Sequence, residues 1–174
     1  ESFSGLGDLP GGSVFGTGYG VSANGRVAVG ESIGGSGTEA IRFTRSDGLT
    51  ALGDLPGGQF LSYARSVSDD GETIIGTASS ASGFEAFRWT AADGMVGLGD
   101  LAGGEFDSQG ERVSADGTTV VGHSVGASGR EAFRWTATEG MVGLGDLSGG
   151  LFLSFATGVS ADGAVVVGFS TSAS

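Results

Sequence analysis

The sequence predicts an all-β protein, a β-propeller of four-stranded blades. Three observations carry the prediction: a 46-residue internal repeat, turn signals that cut each repeat into four short apolar runs, and glycines that keep fixed places within it. Gly-Leu-Gly-Asp-Leu begins at Gly5, Gly97 and Gly143, with Ala51-Leu52-Gly53-Asp54-Leu55 in the second copy. Val-Ser-x-(Asp/Asn)-Gly begins at Val21, Val67, Val113 and Val159. Glu-Ala-(Ile/Phe)-Arg-(Phe/Trp)-Thr begins at Glu39, Glu85 and Glu131. Segments 85–104 and 131–150 differ only at 92/138, 93/139 and 102/148, which reads as recent duplication.

The elements follow in order, and the second copy shows them best. Tyr63–Ser68 forms a first strand that runs into the turn Asp69-Asp70-Gly71. A second, Glu72–Ala78, ends in a Ser-rich loop closed by Gly83. A third, Phe84–Thr90, meets the turn Ala92-Asp93-Gly94. A fourth, Met95–Leu101, runs to Gly103-Gly104. Asp-Gly and Asn-Gly between apolar runs are strong hairpin signals. The runs are β-branched or aromatic, as in Thr73-Ile74-Ile75 and Phe87-Arg88-Trp89, and no window sustains helical spacing. Of 37 glycines, 29 fall in eight repeat columns, which a flexible linker would not require. A β-solenoid is the rival architecture, but its coils are usually shorter and lack three hairpin turns each.

The 174 residues make one repeat domain, with full units at 13–58, 59–104 and 105–150 and a split partial unit at 1–12 and 151–174. Residues 1–12 read as a fourth strand, and 151–174 as a first and second. Pairing the two ends would close a ring, yet the Glu-Ala-x-Arg strand of that blade would be missing. Three readings stay open: a segment of a longer propeller, two chains joining into about eight blades, or an edge that accepts a neighbouring subunit's strand. The chain opens on Glu1 without a basic-then-apolar leader, which reads as a processed chain or part of a longer one.

Composition excludes several function classes. Twenty acidic residues against eight basic ones, all arginine, give a net charge of −12. Such a surface repels phosphate backbones and anionic lipid, so no nucleic-acid partner is expected. No apolar run approaches the length of a membrane span. Without cysteine there is neither a disulfide framework nor a thiolate metal site. The single histidine, His123, stands in a column with Glu31, Thr77 and Phe169, and is expected to be a solvent-exposed strand residue rather than a zinc ligand.

Three polar columns recur: Asp8, Asp54, Asp100 and Asp146; Glu39, Glu85 and Glu131; Arg42, Arg88 and Arg134. A catalytic group is needed once, whereas a residue in every blade answers a need of every blade. These columns are read as structural, with Arg pairing the Asp at the fourth strand's end, ahead of calcium binding or acid–base catalysis. Asp70, Asp116, Asp162 and Asn24 are read as turn caps. No cofactor and no catalytic constellation is expected.

Position-specific chemistry belongs where the copies disagree, at 13–19, 59–65, 105–111 and 151–157, read as loops on one face. Aromatics there (Phe15, Phe60, Tyr63, Phe106, Phe152, Phe155) alternate with Arg65, Glu105, Asp107, Gln109, Glu111 and Arg112. Tyr63, Arg65, Glu105, Asp107, Gln109 and Glu111 are the candidate ligand-binding residues, with a stacked sugar as the ligand. Phe60, Phe106 and Phe152 share one column and are expected to plug the gap between blades.

At Val113–Gly122, Glu131–Thr136 and Gly140–Gly150 the sequence resembles the bacterial HAF-family extracellular repeats, with Glu39, Glu85 and Glu131 standing where their naming triplet has His. The Ser-x-Asp-Gly turn before an apolar strand also resembles TolB-like propeller blades. The HAF resemblance spans essentially the whole chain. It implies a secreted or cell-surface protein. The repeat without a catalytic constellation and the incomplete blade read as a non-enzymatic scaffold or adhesion module, with self-association or a surface glycan or protein as partner; the aromatic and acidic rim leaves a glycan-binding or glycan-cleaving propeller as the alternative.

Overall fold

The computed structural model describes residues 5–172. They form fourteen strands: β1 (Gly16–Val21), β2 (Val27–Gly34), β3 (Gly37–Thr44), β4 (Gly48–Ala51), β5 (Gly57–Val67), β6 (Ile74–Ser80), β7 (Phe84–Thr90), β8 (Gly94–Gly97), β9 (Gly103–Val113), β10 (Thr119–Gly126), β11 (Gly129–Thr136), β12 (Gly140–Gly143), β13 (Gly149–Val159) and β14 (Val166–Ser172). Among the described residues no helix is long and apolar enough to cross a membrane. Strands β1–β4, β5–β8 and β9–β12 are antiparallel meanders, and β13–β14 begins a fourth. Each third strand touches the next blade's first strand at one parallel bridge, Thr38 to Leu61, Phe84 to Asp107 and Arg130 to Leu153. This is a β-propeller of four-stranded blades.

The core lies between the blades, one apolar cluster per interface. Ala40 and Leu52 of the first blade meet Ala64, Ile74, Ala78 and Phe87 of the second. Ile75, Ala86 and Leu98 meet Val113, Val120 and Phe133 at the next interface. Val121 and Ala132 meet Ala156 at the third. Phe87 and Phe133, from third strands, are the largest fully buried side chains. They are the plugs, with Ile41 buried at that position in the first blade. The expected plugs stay at the outer end of the inner strand: Phe60 is exposed, and Phe106 and Phe152 are half-buried. There the backbone makes the contact. Gly83 adopts φ +148°, and a Cβ on it would overlap the Phe106 carbonyl, so the β6–β7 turn can lie against β9 only as glycine.

Two boundaries differ from expectation. The fourth strand spans four residues and stops at Ala51, Gly97 or Gly143, because the glycine two residues on (Gly53, Gly99, Gly145) takes a positive φ of 78–85° and turns the chain out of the sheet. The Gly-Asp-Leu that follows is a strap across to the next blade. The inner strand then begins at the glycine pair, so β5 and β9 are eleven residues long where a loop was expected. In the first copy the counterpart of β4 is residues 2–5, of which 2–4 lie outside the described residues. Residues 5–12 form a strap, with the Leu9 N–H donating to Ser32 Oγ at 3.1 Å. Strands β13 and β14 appear as expected, residues 173 and 174 lying outside the description. Among the described residues β1 and β14 stand at opposite ends of the strand order and do not pair; the end-to-end closure expected from residues 1–12 falls largely on residues 2–4, outside the described residues.

One serine column fastens the blades. Ser62 Oγ accepts the Ala40 N–H at 2.9 Å and donates to the Gly53 carbonyl at 2.7 Å. Ser108 does the same for Ala86 (2.9 Å) and Gly99 (2.6 Å), and Ser154 for Ala132 (2.9 Å) and Gly145 (2.6 Å). The glutamate column completes each strap. Gly53, Gly99 and Gly145 donate their N–H groups to Glu39, Glu85 and Glu131, at 3.0, 3.0 and 2.7 Å. Burial raises the Glu39 carboxyl above its ordinary range against that hydrogen bond. Ser108→Ala is expected to strand two buried backbone groups and cost about 2–4 kcal/mol. Chemical denaturation of the variant checks this.

Candidate functional site

The invariant polar residues are spent on structure. Ser68, Ser114 and Ser160 donate to Asp70, Asp116 and Asp162 at 2.5–2.6 Å, and each Asp also accepts the N–H two residues on, at 2.9–3.1 Å. The serine hydroxyl, and after it that N–H, holds each aspartate below its usual range. Arg42, Arg88 and Arg134 pair with Asp47 (3.5 Å), Asp93 (3.6 Å) and Glu139 (2.7 Å). These acids sit in the turn between the third and fourth strands, five residues beyond each arginine, so the expected pairing with the Asp8 column does not form. The tight hairpin lays the turn acid beside the arginine, while the later Asp leaves with the strap. There Asp54 Oδ2 accepts the Leu61 N–H at 2.9 Å, and Asp146 accepts the Ser170 hydroxyl. Asp100 and Asp8 hold the same strap position. Among the described residues no three acidic or histidine side chains gather as a metal site.

The variable columns come together on the inner strands. Pairing sets Thr17 beside Glu31, Tyr63 beside Thr77, Gln109 beside His123 and Phe155 beside Phe169. The next pairs along, Ala64 with Gly76, Gly110 with Gly122 and Ala156 with Gly168, are small throughout. One sheet face is thus constant and small, the other variable and large. All four inner strands also skip a pairing, between Gly18 and Gly20, Ala64 and Ser66, Gly110 and Arg112, and Ala156 and Gly158. The residue left over is Tyr19, Arg65, Glu111 or Thr157. A bulge frees a residue from the ladder and re-aims its side chain, and bulges gather beside functional sites.

These side chains touch one another within a blade and, at Tyr19 and Arg65, across two blades. Tyr19 donates its hydroxyl to Glu31 Oε1 at 2.8 Å, and its ring lies 5.1 Å from the Arg65 guanidinium carbon. Burial and the Glu31 carboxylate hold the phenols of Tyr19 and Tyr63 above their ordinary value, so both remain neutral donors. On β9, Arg130 pairs with Asp107 at 2.9 Å, and Gln109 Nε2 donates to the same carboxylate at 3.3 Å. Of the candidates, Tyr63, Arg65, Asp107, Gln109 and Glu111 share this inner-strand region. Glu105 does not: it is exposed near the start of β9, about 20 Å of extended strand from Glu111. Tyr19, Glu31, His123 and Arg130 belong to the cluster and were not nominated. The signal was present, since the column Glu31, Thr77, His123, Phe169 changes in every copy.

His123 is not a surface residue. It is 6% exposed, edge-on to Phe155 with centroids 4.7 Å apart, because the first strand of the following blade covers it. Burial, reinforced by Arg130 and Arg65 and opposed by Asp107, pushes its imidazole down to about 4. In the unfolded chain it takes up its proton near 6.5. Between those values the unfolded chain binds the extra proton, so this contribution to stability is whole above pH 6.5 and is lost as the pH falls toward 4. His123→Phe, the residue of the same column at Phe169, is expected to remove about 3 kcal/mol of pH dependence over that window. Denaturant midpoints of both proteins between pH 7.5 and 4.5 check it; a constant difference between them would refute it.

The chain matches no family model and no curated protein. Among solved structures it is similar to TolB from Acinetobacter baumannii, with 16% identity and a TM-score of 0.54, over 87% of this chain and 43% of that one. It is also similar to a putative TolB from Agrobacterium tumefaciens, with 19% identity and a TM-score of 0.59, over 91% and 60%. The chain therefore spans about half the length of these proteins, and what it shares with them is the β-propeller fold.

Proposed function

We propose that the chain is a non-enzymatic propeller module of an extracellular or cell-surface protein, a HAF-type repeat scaffold for assembly or adhesion. One observation carries the reading: the recurring serine, glutamate, arginine and turn-aspartate columns are engaged in holding blades and turns together, and the variable side chains gather in one inner-strand region. A frame that repeats and a surface that varies is the arrangement of a display scaffold.

Support for assembly comes from β14, which pairs only with β13 among the described residues. Beside it lies a cavity of about 550 Å³ lined by Ala132, Leu144, Ala156, Val166 and Ser170. At the interface of the first two blades the same five columns, Ala40, Leu52, Ala64, Ile74 and Ala78, close around Phe87. A third strand of the Glu-Ala-Phe-Arg pattern fits there, supplied by further sequence of the same polypeptide or by a neighbouring copy. Light scattering of the 174-residue chain across a hundredfold concentration range separates the two sources. Growth in mass with concentration supports exchange between copies, and one monomeric mass throughout refutes it.

A second reading, glycan binding, is favoured by Tyr19 and Tyr63 near Arg65, with Gln109 and Glu111 in the matching columns of the next inner strand. It requires no assembly.

A further inference from the structure

The eight arginines fall into three groups. Arg26, Arg45 and Arg112 are exposed. Arg42, Arg88, Arg130 and Arg134 are half-buried, and each has a carboxylate within 4 Å. Arg65 is half-buried and has none among the described residues; its Nε, like that of Arg42, is buried without an acceptor, but Arg42 has Asp47 to satisfy its charge. A guanidinium is more weakly hydrated than an ammonium, yet a half-buried one without an acceptor still forgoes hydrogen bonds that water would supply. Among the half-buried arginines of a protein with twelve surplus negative charges, Arg65 is the one left without a carboxylate among the described residues.

Its surroundings are built to hold it. The β5 bulge aims Arg65 out of the ladder, the Tyr19 ring lies against the guanidinium, and Glu31, 7% exposed, fixes the Tyr19 hydroxyl. A second buried polar atom in the cluster, Nδ1 of His123, also lacks a partner. Tyr63 is half-buried beside them, and Arg130 through Asp107 holds the Gln109 amide in place.

We infer that this cluster is a binding site for a sugar bearing a carboxylate, a uronic acid unit, with Arg65 as the carboxylate anchor. The inference rests on the glycan reading above and names its ligand class. A guanidinium held over a ring has a planar N–H fork, which matches a carboxylate bidentately. The rings of Tyr19 and Tyr63 suit the apolar face of a pyranose, and the neutral phenol of Tyr63, the Gln109 amide and the Glu111 carboxylate suit its hydroxyls. The net charge opposes a polyanion such as nucleic acid, whereas a single carboxylate meets one local cation.

The test is calorimetric titration with short oligosaccharides ending in galacturonate, glucuronate or mannuronate, each beside its carboxyl-reduced neutral counterpart. The expected result is binding of at least one acidic form, tenfold or more weaker binding of its neutral counterpart, and a like loss in Arg65→Met. Arg65→Lys keeps the charge without the planar fork and is expected to fall between. Unchanged thermal melts show that the variants fold, and exposed Arg112→Met is the control expected to bind as the parent does. Equal binding of acidic and neutral forms, or full binding by Arg65→Met, overturns the carboxylate anchor and leaves the glycan reading standing. No binding of either form at millimolar concentration overturns both.

Discussion

The fold depends on a hydroxyl that two blades share. Ser62, Ser108 and Ser154 each stand on an inner strand and satisfy a backbone N–H and a carbonyl of the preceding blade. Sheets packed face to face have only side chains between them, and apolar contact alone fixes neither register nor distance. A buried serine bonded to main chain on both sides does fix them, because either group left unpaired in a dry interface costs more than the bond itself contributes. The phenylalanine plug, the glutamate-held strap and the close glycine turn then assemble around a spacing already set. The first copy has Gly16 at the serine position, and no blade precedes it among the described residues.

This division of labour explains the composition. Acidic residues are numerous because carboxylates accept main-chain N–H groups at each turn and strap, twice or more in every repeat. Glycine is numerous because backbone meets backbone, both within and between blades. At Gly76 and Gly122, Cβ atoms would strike the carbonyls of Tyr63 and Gln109 on the adjacent strand, and at Gly37 and Gly129 those of Phe60 and Phe152 in the next blade. Arginine is scarce, and most half-buried copies are neutralised within their own blade. Against that economy the bulge column, with Tyr19, Arg65, Glu111 and Thr157, stands apart as the place where chemistry differs from blade to blade.

Much of the fold was legible in the sequence, since the 46-residue period, the number of strands and the Asp-Gly caps depend on local chemistry that a repeat displays four times. The strand limits were not. Gly57-Gly58 and Gly103-Gly104 have low intrinsic strand preference, and only the neighbouring hairpin recruits them into β5 and β9. The expected partner of Arg88, Asp100, was wrong for a similar reason: Asp93 is also near in sequence, and a four-residue strand brings Asp93 and not Asp100 beside it. His123 was misjudged because strand alternation says which face a residue takes, not whether another blade covers that face. The candidate site was legible as a set of disagreeing columns, but the bulge that gathers them leaves no motif.

A bulged residue makes no ladder bond, so its identity is nearly uncoupled from the pairing of its strand. Because the bulge returns at one column of each inner strand, the repeat contains a position that duplication copies and that substitution then changes with little penalty to the frame. Two segments as similar as 85–104 and 131–150 are still joined to inner strands that carry Glu111 and Thr157 at that position. Copying a blade therefore adds one more independently adjustable contact to the same face, and the repertoire of such a protein grows by counting blades.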